Sequence, residues 1–191
     1  LCTDGVAEFD LTTQRFKTLL QGNVDAIYFN EKLYIGKREE VFVYNESTGN
    51  FDLYYHLAGK DITLSCLHLD EKKNLWMGTT SNGLYCLSGD KKISQPVTRG
   101  NIASIYEDSS KELLICTWEE GLYRIKTDST IENFRHDPKN PNSICADFVR
   151  SCCEDNAGNL WIGTFHGLNR YEKSTGKFQL YTANANKPDG L

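Results

Sequence analysis

The stretch NLWIGTFHGLNRY, residues 159–171, decides the fold, because most of it recurs along the chain. The related stretches are KLYIGKREEVFVYN (32–45), NLWMGTTSNGLYCL (74–87) and ELLICTWEEGLYRI (112–125). The fourth position of the shared LxxG/C core holds Gly36, Gly78, Cys116 and Gly163 in turn. These positions lie about 40 residues apart, a period typical of repeated supersecondary units.

Each copy contains four segments with the pattern of a strand. The first is an alternating apolar run that ends in an acid or an amide, at 24–30, 64–70, 102–108 and 149–155. The LxxG/C core is the second segment, a further alternating run is the third, and a segment ending in LYY or LYT is the fourth. Gly-, Asn- and Ser-containing turns separate them, so we predict four short antiparallel strands per unit.

Four-stranded units that repeat at this period predict an all-β fold, a β-propeller built of antiparallel blades. We place blades at 21–57, 58–97, 98–143 and 144–191, after a partial blade at 1–20 that holds the last three strands of a unit. A β-sandwich is the main alternative, but sandwich strands need not repeat as quartets. We therefore expect residues 1–191 to form one segment of a larger propeller.

The composition is that of a globular chain that binds neither nucleic acid nor lipid through its own residues. The 191 residues are 39% hydrophobic and 25% charged, with a net charge of −5 and no basic stripe. Nucleic acid is therefore not predicted as a direct partner. No window reaches the roughly 18 apolar residues of a membrane-spanning helix, so we expect membrane attachment only through other parts of a parent chain.

Seven cysteines form no CxxC pair and have no histidine at zinc-binding spacing, so we predict neither a metal site nor another cofactor. Most lie in strand-like runs, where a free cysteine behaves as a small buried hydrophobe. The alternative is a disulfide that involves Cys145, Cys152 or Cys153. The adjacent Cys152 and Cys153 should point to opposite faces of a strand, which disfavours pairing with each other.

Four motifs of the last unit resemble the two-component regulator propeller repeat. They are EDNAGNLWIGT (154–164), GLNRY (167–171), STGKFQLY (174–181) and the linker HDPKNPNSI (136–144). The resemblance implies the periplasmic sensor region of a Bacteroidetes hybrid two-component sensor histidine kinase, an inner-membrane protein. Such a region would sense oligosaccharides and signal to a kinase elsewhere in the parent chain, thereby regulating transcription. This chain contains no kinase motif, so we predict a binding module without enzymatic activity.

A ligand site is expected where several blades share one face of the propeller. The loops between second and third strands should lie there, beside the segments that precede the first strands. Bulky or charged residues replace small polar ones in three of these loops, and Arg150 replaces the Asp25, Ser65 and Ala103 of the other first strands. The candidate ligand-binding residues are Arg38, Trp118, Glu119, Arg150, Phe165 and His166, and no residue is predicted to be catalytic.

Three of the candidates also have a structural explanation. Trp118 would cap a neighbouring blade, His166 would be a solvated turn residue, and Arg38 with Glu39 would be a surface pair. At the level of the whole chain, one alternative is an interaction scaffold, and we expect the parent to self-associate as a homodimer. The other is a propeller lyase or hydrolase, in which His166 would be the general base.

Overall fold

The computed structural model describes residues 5–59, 61–90, 92–94 and 97–182. All regular elements of these residues are strands, and they form five antiparallel sheets. The first sheet pairs β1 (Gly5–Asp10) with β2 (Arg15–Gln21). The strand predicted at the very beginning of the partial blade falls on residues 1–4, outside the described residues.

Each of the other four sheets has four strands that follow one another in chain order. Blade 1 contains β3 (Ala26–Asn30), β4 (Lys32–Lys37), β5 (Glu40–Asn45) and β6 (Asn50–His56). Blade 2 contains β7 (Leu64–Leu69), β8 (Leu75–Thr79), β9 (Leu84–Leu87) and β10 (Ile93–Ser94). Blade 3 contains β11 (Ile102–Glu107), β12 (Leu113–Thr117), β13 (Leu122–Ile125) and β14 (Ile131–Phe134). Blade 4 contains β15 (Val149–Glu154), β16 (Leu160–Thr164), β17 (Gly167–Glu172) and β18 (Lys177–Tyr181). The predicted all-β propeller architecture is confirmed.

The first strand of each blade contacts the first strand of the next, which places β3, β7, β11 and β15 innermost. Hydroxyl groups fasten these strands to each other. The Ser65 hydroxyl donates to the carbonyl of Ile102 at 2.6 Å, and the Ser104 hydroxyl donates to the carbonyl of Arg150 at 3.1 Å. Small side chains on the inner strands allow this close approach.

Two hydrogen-bonded positions hold the ends of the loop between the second and third strands. The hydroxyls of Thr79, Thr117 and Thr164 donate to the carbonyls of Gly83, Gly121 and Gly167 at 2.8, 2.7 and 2.9 Å. Gly121 has a φ of +79°, and a Cβ atom there would collide with the carbonyl of Phe134. The loop ends are therefore fixed in residue type, while the residues between them are free to vary.

An acid at the end of the first strand anchors the tryptophan of the second. The indole N–H donates to Asp70 in blade 2 and to Asp155 in blade 4, at 2.9 and 2.8 Å. Trp76 and Trp161 are only partly buried, because the indole N–H must reach the turn. These tryptophans close the turn between two strands as well as packing against the sheet.

Blade 3 has Leu114 at the position of the tryptophan, so the acid of this blade, Asp108, has no indole N–H to accept from. The fully buried carboxylate of Asp108 accepts from the Lys173 ammonium of blade 4 at 2.8 Å. Lys173 also donates to Glu154 at 2.6 Å. The acid that closes a turn within blades 2 and 4 therefore joins two blades in this case.

Candidate functional site

The loops between second and third strands lie beside the segments that precede the first strands, on one face of the propeller. Main-chain N–H groups of the loops join the two sets: Arg38 to the Asp25 carboxylate at 2.6 Å, Thr80 to Thr63 at 3.0 Å, and Trp118 to Asn101 and Phe165 to Phe148 at 3.1 Å each. We call this surface the mouth face. It consists of the loops 38–39, 80–83, 118–121 and 165–166 and the segments 22–25, 61–63, 98–101 and 145–148.

A row of aromatic rings crosses the mouth face from blade 3 to blade 4. The ring centroids of Trp118 and Phe148 lie 4.8 Å apart, and those of Phe148 and Phe165 lie 5.6 Å apart. His166 continues the row, with its ring centroid 5.6 Å from that of Phe165. Trp118 is 39% exposed and Phe165 is 75% exposed, so the row presents apolar ring surface to solvent. We call these four residues the aromatic row.

A cavity of about 570 Å³, which we call the central cavity, lies next to the aromatic row, between the inner strands. All four blades contribute to its wall, and the polar and aromatic residues are Asp25, Thr63, Ser65, Thr80, Asn101, Trp118, Arg150 and Ser151. The exposed Arg150 carries a guanidinium that forms no ion pair within the described residues. The central cavity therefore offers a cation, a carboxylate, hydroxyls and an amide beside an aromatic ring.

A second cavity, of about 840 Å³, lies on the blade 4 side of the aromatic row and includes Phe148, Phe165 and His166. Asp147 borders this cavity. Its negative charge is already paired, because its carboxylate accepts from the Arg135 guanidinium at 2.6 Å. Burial acts to raise the pKa of Asp147, but the hydrogen bonds from Arg135 and the His136 N–H outweigh it and lower this pKa. The Arg135 guanidinium also donates to the Glu119 carbonyl at 3.0 Å, which fixes that loop.

The structure brings four of the six candidate residues together and leaves two apart. Trp118, Phe165 and His166 belong to the aromatic row, and Trp118 shares the central cavity with Arg150. Arg38 and Glu119 lie in mouth-face loops but line neither cavity. Arg38 has a φ of 53° and contributes its main-chain N–H to Asp25, and Glu119 contributes its carbonyl to Arg135.

Two residues of the site were missed in the sequence. Phe148 occupies the position just before the first strand, where the other units have Asn23, Thr63 and Asn101. A bulky residue among small polar ones is the signal that selected Phe165, so the same comparison could have found Phe148. Asp25 was considered only as a counterpart of Arg150, although its carboxylate lines the same cavity.

Within 5–59, 61–90, 92–94 and 97–182, no group of three or more metal-ligating side chains comes together. No helix in this part of the chain has the length and hydrophobicity needed to cross a membrane.

Comparisons with known proteins agree with this fold. Residues 143–166 match the family described as two component regulator propeller. The extracellular domain of BT4673 from B. thetaiotaomicron, described in one structure as a one component system, is 21% identical with a TM-score of 0.74; the match covers 87% of this chain and 24% of that chain. The extracellular domain of BT3049 from B. thetaiotaomicron, described as a hybrid two component system, is 23% identical with a TM-score of 0.72, over the same shares of the two chains.

A propeller enzyme is also similar. Virginiamycin B lyase from Staphylococcus aureus is 16% identical with a TM-score of 0.66, and the match covers 85% of this chain and 56% of the lyase. At these identities the structural matches show the fold. This chain spans about a quarter of the length of the two extracellular domains. No curated protein matches it.

The sheets and the mouth face together define a β-propeller with a candidate ligand site between its blades. Residues 143–166 match the two component regulator propeller family, which confirms the resemblance found in the sequence.

Proposed function

We propose that this chain is part of the ligand-sensing propeller of a two-component regulator, and that it recognises an oligosaccharide at the mouth face. The observation that carries the proposal is the aromatic row beside the central cavity and its polar side chains. In this proposal the chain binds ligand without transforming it, and a kinase elsewhere in the parent chain receives the signal.

The chemistry of the mouth face suits a carbohydrate. A sugar ring has apolar C–H faces that stack on aromatic rings, and hydroxyl groups that exchange hydrogen bonds with carboxylates, amides and guanidinium groups. Trp118, Phe148 and Phe165 offer more than one stacking position in succession, which favours an oligosaccharide over a monosaccharide. Asp25, Asn101 and Arg150 would orient the hydroxyl or acidic groups that reach the cavity.

The structural similarity to extracellular domains supports a position outside the cytoplasm. We propose a periplasmic location, in the sensor region of an inner-membrane protein. The similarity to a lyase supports only the shared fold, so His166 enters the proposal as a ring at the end of the aromatic row and not as a general base.

Calorimetric titration of the complete sensor region against a panel of neutral and acidic oligosaccharides tests the proposal. We expect one class to bind, and Trp118→Ala and Phe165→Ala to weaken that binding at least about tenfold, equivalent to about 1.4 kcal/mol. Phe16→Ala is a matched control, because Phe16 is 75% exposed like Phe165 but lies in β2. Light scattering on the same samples would support the interaction scaffold instead if it shows a stable dimer while no member of the panel binds.

A further inference from the structure

Two cysteines occupy positions where the other blades have different residue types. The position of Cys116 holds Gly36, Gly78 and Gly163 in the other three blades. The position of Cys152 holds Ile27, Leu67 and Ile105. Both departures from the repeat concern the same boundary, since Cys116 lies in β12 of blade 3 and Cys152 lies in β15 of blade 4.

The two side chains meet across this boundary, with their sulfur atoms 3.5 Å apart. Both are free thiols, Cys116 is fully buried, and Cys152 packs against the same apolar cluster. At the earlier boundaries the glycine has no side chain, and a Cβ on Gly78 would lie 2.8 Å from Ile102 of the next blade. The contact between two sulfur atoms is therefore specific to the boundary between blades 3 and 4.

The other described cysteines have different surroundings. Cys145 contacts the Thr164 hydroxyl and the Asn169 amide, both at 3.0 Å, and Cys153 is exposed on the opposite face of β15. Burial raises the pKa of Cys66 to about 12, which keeps it a thiol. Within the described residues, Cys116 and Cys152 are the pair whose sulfur atoms face each other.

The contact between the two thiols also shifts their pKa values in opposite directions. The hydrogen bond between the two sulfur atoms lowers the pKa of Cys116 and raises that of Cys152. A thiolate is the species that attacks a disulfide, so either cysteine can begin the reaction once its thiol is deprotonated.

We propose that Cys116 and Cys152 form a disulfide that covalently joins blade 3 to blade 4. The oxidant is a disulfide compound that acts by thiol exchange. The thiolate of one cysteine attacks it and releases one thiol, and the thiol of the other cysteine then displaces the second and gives up its proton. The two cysteines lose two protons and two electrons, and the oxidant is reduced to two thiols.

The geometry and the burial indicate when the bond forms. The sulfur atoms must approach from 3.5 Å to a bond length of about 2.05 Å, which small side-chain rotations can provide. An oxidant cannot reach the fully buried Cys116 in the closed boundary. The exchange therefore takes place during folding, before blade 4 has packed against blade 3.

Refolding of the chain with oxidised glutathione, followed by tryptic digestion without reduction, tests this inference. Cys116 falls in the peptide 112–124 and Cys152 in the peptide 151–170. Because the second peptide also contains Cys153, the digestion is done on Cys153→Ser. We expect the two peptides to appear joined, with the mass of two hydrogen atoms missing, and to separate on reduction. The oxidised form should also unfold at a higher temperature than the reduced form.

Cys116→Ser should abolish both the joined peptide and the difference in unfolding temperature. Cys152→Ile provides a second variant that restores the residue of blades 1 and 3, so that the loss does not depend on one substitution being tolerated. Free thiols at both positions in refolded Cys153→Ser would overturn the inference. A bond from Cys116 to any cysteine other than Cys152 would do the same.

Discussion

The indole ring of Trp118 and the phenyl ring of Phe148 lie 4.8 Å apart across the boundary between blade 3 and blade 4. Trp118 belongs to a loop of blade 3, and Phe148 belongs to the segment that leads into blade 4. The aromatic row is therefore built by two blades, and its shape depends on how those blades pack. A ligand that stacks on the row would favour one relative position of the two blades, which is a physical route from binding to signalling.

Phe148 should be required for ligand binding although it is less exposed than its neighbours. Phe148→Ala removes the middle ring, so that Trp118 and Phe165 no longer form a continuous surface. We expect the affinity for the oligosaccharide identified by calorimetry to fall about tenfold. Phe148→Tyr keeps the ring and should keep most of the affinity. Equal affinities of wild type and Phe148→Ala would show that the row is not the binding surface.

Lys173 should stabilise the packing of blade 4 on blade 3. Lys173→Met leaves the carboxylates of Asp108 and Glu154 buried without their cation. We expect a loss of about 3 kcal/mol in the free energy of unfolding, measured by urea denaturation. Lys126→Met is the control, because its ion pair with Glu132 is more exposed and should contribute little to stability. If both variants lose the same small amount, the buried ion pairs do not fasten the blades.

The threonine that closes the mouth-face loop of blade 3 should act through its hydroxyl. Thr117 is fully buried, donates to the Gly121 carbonyl, and accepts from the Glu120 N–H at 2.9 Å. Thr117→Val keeps the shape of the side chain but leaves the Glu120 N–H without its partner, and the Gly121 carbonyl keeps only the Thr117 N–H, at 3.2 Å. We expect the free energy of unfolding to fall by about 2 kcal/mol. Thr117→Ser, which keeps the hydroxyl, should lose less, and the reverse order would contradict the role of this bond.

The anchoring of Trp161 should depend on pH through Asp155. Hydrogen bonds from the Asn159 amide, the Trp161 indole and the main chain lower the pKa of Asp155 well below its ordinary value. A carboxyl group whose pKa is lowered by folding stabilises the folded state above its unfolded pKa, about 3.9, and loses this contribution as the pH falls through the folded pKa.

The test is the difference in unfolding temperature between wild type and Asp155→Asn as a function of pH. This difference should be largest near neutral pH and should narrow below about pH 4, where Asp155 of the unfolded chain becomes protonated. A constant difference from neutral pH to about pH 3 would show that the charge of Asp155 does not contribute.

The sequence was sufficient for those features that repeat. Strands, turns and the mouth-face loops follow from a pattern in which each copy supports the interpretation of the others, and Gly121 and Thr117 are fixed by bonds within one blade. Phe148 carried the same signal as Phe165 and could have been recognised. The role of Trp76 and Trp161 in closing a turn could not be predicted from the sequence, because it depends on an indole N–H that reaches the turn.

Contacts between blades could not be predicted, because they join residues distant in sequence. Lys173 and Asp108 are separated by 65 positions, and Cys116 and Cys152 by 36. The sequence offered Cys152 as one of three cysteines for a disulfide but did not indicate Cys116 as its partner. The distance between their sulfur atoms follows from the packing of two blades, which no single repeat specifies.

The emission of Trp118 during an oligosaccharide titration tests the central claim most directly. Trp118 is the exposed tryptophan of the mouth face, and Trp76 and Trp161 are held by Asp70 and Asp155. We expect the emission of the complete sensor region to shift to shorter wavelength with the affinity found by calorimetry. The shift should be absent in Trp118→Phe, which retains a ring for stacking. Calorimetric binding that leaves the emission of wild type unchanged would contradict a ligand site at the mouth face.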